Sequence, residues 1–173
     1  IKDISMFLHD VKVQLEGKLV NPIAHPAVDV IPFELNFSKY PVLSEIAITY
    51  RCNLKCRFCY AGCNSTADPS GTDHEMSPDE VKIILDKLFN EAKVPSVSFT
   101  GGEPTLSPEL PEYVKYAKDL GMRVNLITNG TLVSKESARK LAESGLDSVQ
   151  LSLESADAEE HDRITAVKGS FDK

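Results

Sequence analysis

All four cysteines of this chain lie between positions 52 and 63: Cys52, Cys56, Cys59 and Cys63. A disulfide framework spreads its cysteines to close long loops. The opening residues Ile1-Lys2-Asp3-Ile4 do not read as a secretion signal, because the apolar stretches there are short and broken by Asp10 and Lys12. Four crowded thiols read instead as ligands. Cys52, Cys56 and Cys59 have the spacing C-x3-C-x2-C, close enough for three thiolates to wrap one corner of an iron–sulfur cube and leave the fourth iron without a protein ligand. With Cys63 the run becomes C-x3-C-x2-C-x3-C, which also suits a structural zinc ion or a closed four-cysteine electron-transfer cluster. His9, His25 and His74 have no partner at ligand spacing.

A second group of residues with chemical potential is Gly101-Gly102-Glu103-Pro104. Alone it reads as a strand-to-helix turn, placed one βα unit after the cysteine loop. Thr128-Asn129-Gly130 is a turn sequence, and Ser152-Leu153-Glu154 ends another apolar run.

The elements that must position these groups repeat along the chain. Ile46-Ala47-Ile48-Thr49-Tyr50 has the composition of a short buried strand. Ser77-Pro78-Asp79-Glu80 opens a helix with a capping box, and Val81, Ile84, Leu85, Leu88 and Phe89 lie on one helical face after it. Val94 to Thr100 is the next strand. A helix starting near Ser107-Pro108 carries Leu110, Tyr113, Val114 and Ala117 and stops at Gly121. Met122 to Thr128 is a third strand. Ser134 caps a third helix with Ala138, Leu141 and Ala142, stopped by Gly145, and Ser148 to Leu153 is a fourth strand. Strand positions 96, 122 and 148 are evenly spaced, whereas the interval from 46 to 96 is nearly double, so an extra loop comes after the first strand and holds every cysteine. Strand–helix repeats of this length give parallel strands with right-handed crossovers, whose ligands gather at the C-terminal strand ends. The cysteine loop, Gly101-Gly102-Glu103, Asn129 and Ser152 with Glu154 all fall on that rim.

The expected fold class is α/β, a partial (β/α) barrel over residues 46–173. Residues 1–45 form an N-terminal appendage, in which Val11, Val13 and Leu15 alternate with polar residues before Gly17 as a short hairpin, and Pro22, Pro26, Pro32 and Pro41 break the remainder of the appendage into extended pieces. A parallel sheet needs both faces covered, so four strands imply that the natural protein continues with more βα units.

The chain has 19 basic and 26 acidic residues, a net charge of −7. That argues against a general nucleic-acid binder, which needs a basic face. No apolar run reaches the ~18 residues of a membrane span, and a cytoplasmic location is expected.

The cysteine spacing, with Phe58 before the third cysteine, resembles that of the radical S-adenosylmethionine enzymes, and Gly101-Gly102-Glu103-Pro104 matches their second motif. The resemblance covers roughly residues 46–165 and implies a 4Fe–4S cluster on Cys52, Cys56 and Cys59, with Cys63 a bystander. It implies S-adenosylmethionine as second cofactor, cleaved reductively to methionine and a 5′-deoxyadenosyl radical that abstracts hydrogen from substrate. Glu103 would accept from the cofactor's ammonium while Gly101 and Gly102 admit it closely. Phe58 and the Tyr60 backbone would flank adenine. Ser152 and Glu154 would meet ribose or carboxylate, Asn129 is a further rim residue, and Arg163 would sit near the carboxylate. His161-Asp162-Arg163-Ile164 through Phe171 resembles the subgroup that modifies peptides or matures cofactors. An electron donor such as a flavodoxin or ferredoxin is implied, with a peptide or small-molecule substrate.

Overall fold

A computed structural model describes residues 41–63 and 75–173. The hairpin and proline-broken segment expected in residues 1–40, and His74, lie outside the described residues.

Four parallel strands form one sheet in the order β1-β2-β3-β4: β1 (Ser44–Thr49), β2 (Ser96–Gly101), β3 (Arg123–Thr128) and β4 (Ser148–Leu151). Ile46 lies opposite Phe99, Val97 opposite Val124, and Leu126 opposite Val149. Each crossover moves one place along in the same direction, as in the wall of a barrel.

Three helices cross between these strands and a fourth comes after them. α1 (Pro78–Asp86) begins at the expected capping box: Ser77 Oγ accepts from the Glu80 amide and the Glu80 carboxylate accepts from the Ser77 amide. It runs on into a wider π-type turn at Lys87–Glu91. α2 (Leu110–Leu120) buries Leu110, Tyr113, Val114 and Ala117 and ends where Gly121 takes φ 96°. It starts at Leu110, just past Ser107-Pro108: Ser107 closes a short 3-10 turn, Pro104–Leu106, its amide donating to Pro104 O, and the Ser107 carbonyl accepts from the Leu110 amide. α3 (Lys135–Glu143) is capped by Ser134, whose hydroxyl accepts from the Ser137 amide. α4 (Ala158–Thr165) is capped by Asp157, which accepts from the Glu160 amide.

The core lies between the sheet and α1 and α2. Val81, Leu85, Val97, Phe99, Val114 and Val124 are fully excluded from solvent there. Burial of this kind contributes about 25 cal/mol per Å² of apolar surface and holds the strand ends in fixed register. β4 is shorter than its apolar run: the Ser152 amide makes the last bond to β3, to Thr128 O, and the chain then turns away. Val149 and Leu151 on β4 are more than half exposed. No helix among the described residues is long and apolar enough to cross a membrane.

Candidate cofactor-binding site

The end of β1 and the end of β2 are zipped together beyond their last ladder positions. The Gly102 amide donates to Thr49 O and the Glu103 amide to Arg51 O, both at 2.8 Å. Thr49 is the partner of Gly101, after an irregularity in register at Ala47. This close approach needs glycine. A Cβ on Gly101 would lie 2.1 Å from Thr49 O and one on Gly102 would lie 2.2 Å from Arg51 O, and Gly101 also has φ +135°. The segment so gripped leads directly into Cys52. The tertiary contact therefore joins the two motifs that are separate in sequence.

Glu103 is fully buried. Its Oε1 accepts from the Thr105 amide at 3.0 Å, from Thr105 Oγ1 and from Thr128 Oγ1 at 2.7 Å, and its Oε2 accepts from the Asn129 amide at 2.8 Å. These donors are neutral. They fix the carboxylate's position without cancelling its charge, and a buried carboxylate of this kind is a natural acceptor for a cationic ligand.

Asn129 connects this carboxylate to the cysteine loop. Its side-chain amide donates to Asn53 Oδ1 at 3.0 Å and lies 4.0 Å from Cys52 Sγ. Its Oδ1 accepts from Thr131 Oγ1 at 2.7 Å, and that hydroxyl accepts from Asn53 Nδ2 at 2.7 Å. A closed ring of three side chains thus holds the loop to the end of β3.

All four cysteines are half-buried and none forms a disulfide. The Cys52 thiol accepts from the Leu54 amide at 3.4 Å, and Leu54 is buried beneath the loop. Burial pushes the Cys52 thiol above its ordinary range, with smaller contributions from the charges of Glu103 and Cys59. Burial does the same to Cys56, assisted by Cys52, Glu154 and Cys59. Cys63 is pushed up to about 11, by burial first and then by its neighbour Cys59. Thiols and carboxylates are therefore gathered closely enough to oppose one another's ionisation. A positively charged metal centre reverses that opposition, since thiolate ligation proceeds with loss of the proton. The donor set thus fits an iron–sulfur group. Among the described residues no three His, Cys, Asp or Glu side chains gather tightly around a single ion; a cube assigns each thiolate to its own iron.

The other residues singled out in the sequence are distributed unevenly. Ser152 and Glu154 are half-buried beyond the end of β4, and the Glu154 amide donates to His161 Nδ1 at 3.2 Å. Glu154 is near enough to Cys56 to affect its ionisation. Phe58 and Tyr60 stand 60% and 89% exposed on the loop. Arg163 points its guanidinium at Glu160 on α4, with Nε 2.7 Å from Oε2, and its side chain is largely exposed. Thr105, Asn53 and Thr131 did not stand out in the sequence, and Thr128 did so only within the Thr128-Asn129-Gly130 turn string. Thr128 and Thr131 flank Asn129-Gly130, a string that carries only a turn signal on its own.

Comparison with known proteins gives a consistent result. The family model described as the radical SAM superfamily matches residues 46–173. The Fe-coproporphyrin III synthase of Methanosarcina barkeri is 42% identical over 125 residues, covering 72% of this chain and 30% of that protein. The PqqA peptide cyclase of Bradyrhizobium diazoefficiens is 35% identical over 133 residues, covering 77% of this chain and 34% of that protein. The chain thus spans about a third of the length of these curated relatives. Among solved structures, SuiB of Streptococcus suis bound to S-adenosylmethionine superposes with a TM-score of 0.61 at 26% identity, covering 75% of this chain and 29% of that one.

Proposed function

We propose, because this chain belongs to the radical S-adenosylmethionine superfamily, that it is the part of an enzyme that binds and reductively cleaves S-adenosylmethionine. The family's cofactors are a 4Fe–4S cluster and S-adenosylmethionine, and the SuiB neighbour carries the latter. The observation that carries the reading is the backbone zip between Thr49–Arg51 and Gly102–Glu103, which sets a buried carboxylate beside the cysteine loop.

In this reading Cys52, Cys56 and Cys59 hold the cluster. When bound and reduced, the cluster would supply the one electron needed to cleave S-adenosylmethionine to methionine and a 5′-deoxyadenosyl radical. The chain's own residues bind and orient. Glu103, fixed by Thr105, Thr128 and Asn129, accepts from the cofactor's ammonium. Gly101 and Gly102 let the end of β1 come close enough to grip the segment that leads into Cys52. Ser152 and Glu154 supply hydrogen-bonding groups for ribose or carboxylate, and Phe58 and the Tyr60 backbone flank adenine. By the family resemblance, Arg163 on α4 is the basic residue assigned to the cofactor's carboxylate.

The relatives named for heme-precursor and peptide chemistry support a substrate that is a peptide or a cofactor precursor. A small flavodoxin or ferredoxin would supply the electron. The oxygen sensitivity of such a cluster suits the cytoplasm.

The test is anaerobic reconstitution of the full-length protein with iron and sulfide, followed by reduction in the presence of S-adenosylmethionine. Formation of 5′-deoxyadenosine supports the reading. Cluster-loaded, reduced protein that yields none overturns it.

A further inference from the structure

The cysteine loop is held on its outer side by the end of α4, through an arrangement that the binding scheme above does not use. The Lys55 amide donates to Thr165 O at 3.0 Å and the Arg57 amide to Ile164 O at 3.2 Å. These carbonyls belong to the last turn of the helix, where intrahelical partners run out. The two amides flank Cys56 in sequence, so their partners set the path of the backbone that carries that thiol.

The helix end is itself locked. Ala166 takes φ 53° and turns the chain back. Asp162, on α4, then gathers the returning turn: its Oδ2 accepts from the Gly169 amide, and its Oδ1 accepts from Ser170 Oγ at 2.9 Å and the Phe171 amide at 3.0 Å. Thr165 Oγ1 lies 2.7 Å from Ser170 Oγ and 3.0 Å from His161 O. Thr165 and Ser170 are both buried. The ring of Phe171 packs edge-on against His161, with centroids 5.7 Å apart, and His161 holds the Glu154 amide. Arg163, the basic residue of the same stretch, faces outward to Glu160. The inward-facing polar groups are those of His161, Asp162 and Thr165.

We propose that Asp162 is a positioning residue for the cysteine loop: by closing residues 166–171 onto α4, it fixes the Ile164 and Thr165 carbonyls that hold the Arg57 and Lys55 amides. This rests on the reading that the loop carries a cluster. A preformed loop presents its three thiols with less ordering entropy lost on metal binding. A carboxylate suits the task because it accepts three bonds without offering a donor. Asn in its place would turn a donor toward Gly169 or toward Ser170 and Phe171.

Hydrogen–deuterium exchange on the metal-free, full-length protein tests the latch without reference to any cluster. In Asp162→Ala, the amides of Lys55 and Arg57 should exchange at least tenfold faster, while those of Phe99 and Leu126 in the core keep their wild-type rates. Asp162→Asn should fall between. Ser170→Ala removes one hydroxyl from the latch and should move the same amides by less, which keeps the test available if Asp162→Ala does not fold. After anaerobic reconstitution, iron retained per chain should fall in the order wild type, Asn variant, Ala variant, and the electron paramagnetic resonance spectrum of the reduced cluster should broaden in the same order. Loop amides that exchange at wild-type rates overturn the proposal, as do loop amides that accelerate only together with the core. Wild-type protein that never takes up iron would instead overturn the reading of the loop.

Discussion

The backbone amide of Asn129 donates to Oε2 of Glu103 at 2.8 Å, joining the end of β3 to the turn after β2. With Thr128 Oγ1 on the other oxygen, the buried carboxylate is held from the neighbouring strand as well as from its own turn. Glu103→Gln retains size but removes the charge and sets a donor against one of these donors. We expect S-adenosylmethionine affinity to fall about tenfold or more, the loss of a charge-assisted hydrogen bond, with iron content unchanged. Binding titrations on reconstituted protein and an iron assay check this, and parallel loss of both would make Glu103 structural.

Cys63 lies beside Cys59, close enough for that neighbour to help raise its pKa. The open-cluster arrangement needs Cys59 and not Cys63. Cys59→Ala should abolish iron retention after anaerobic reconstitution and Cys63→Ala should preserve it. Loss of iron in Cys63→Ala would favour a closed four-thiol site without catalysis.

The approach of Gly102 to Arg51 O leaves no room for a methyl group. Both sides of the contact are backbone, so relief requires parting the ends of β1 and β2. Gly102→Ala should lower stability by about 1–3 kcal/mol, measured by urea unfolding. It should also lower iron uptake, since the displaced segment continues into Cys52.

Asp147 ties α2 to β3, its Oδ2 accepting from Lys118 Nζ and from the Val124 amide at 2.7 Å each. The Lys118 hydrogen bond, followed by that of Val124, holds the Asp147 carboxyl below its ordinary range. A carboxylate with a depressed folded-state pKa adds stability above its unfolded value of ~3.9, and that stability is lost as pH falls through the lower folded value. Asp147→Asn should therefore lose stability at neutral pH and show a flatter decline below about pH 4. Thermal unfolding across pH checks this. The neutral-pH loss should be about 1 kcal/mol, because the pair is part-exposed and screened.

Local chemistry made much of the fold readable. Ser77 with Glu80, Ser134 and Gly121 mark helix ends through contacts within a few residues, and those ends lie where they are expected. Local signals set the start of α2 slightly early, because Ser107 closes the preceding 3-10 turn at Pro104–Leu106 and the helix begins at Leu110. They also extended β4 to Leu153, since apolar alternation continues past the last partner that β3 can offer at Thr128.

The candidate site divides along the same line. The spacing of Cys52, Cys56 and Cys59 and the order of the two motifs are properties of the chain alone, and they sufficed to name a family that the whole stretch from residue 46 to 173 matches. Only tertiary structure decided which side chains and backbone groups hold those motifs in place. Asn53 reaches Thr131 and Asn129, Thr128 reaches Glu103, and the carbonyls at the end of α4 reach Lys55 and Arg57. Each of these bonds joins residues far apart in the chain. No local preference encodes them, because they exist only once parallel strands have brought their C-terminal ends to one rim.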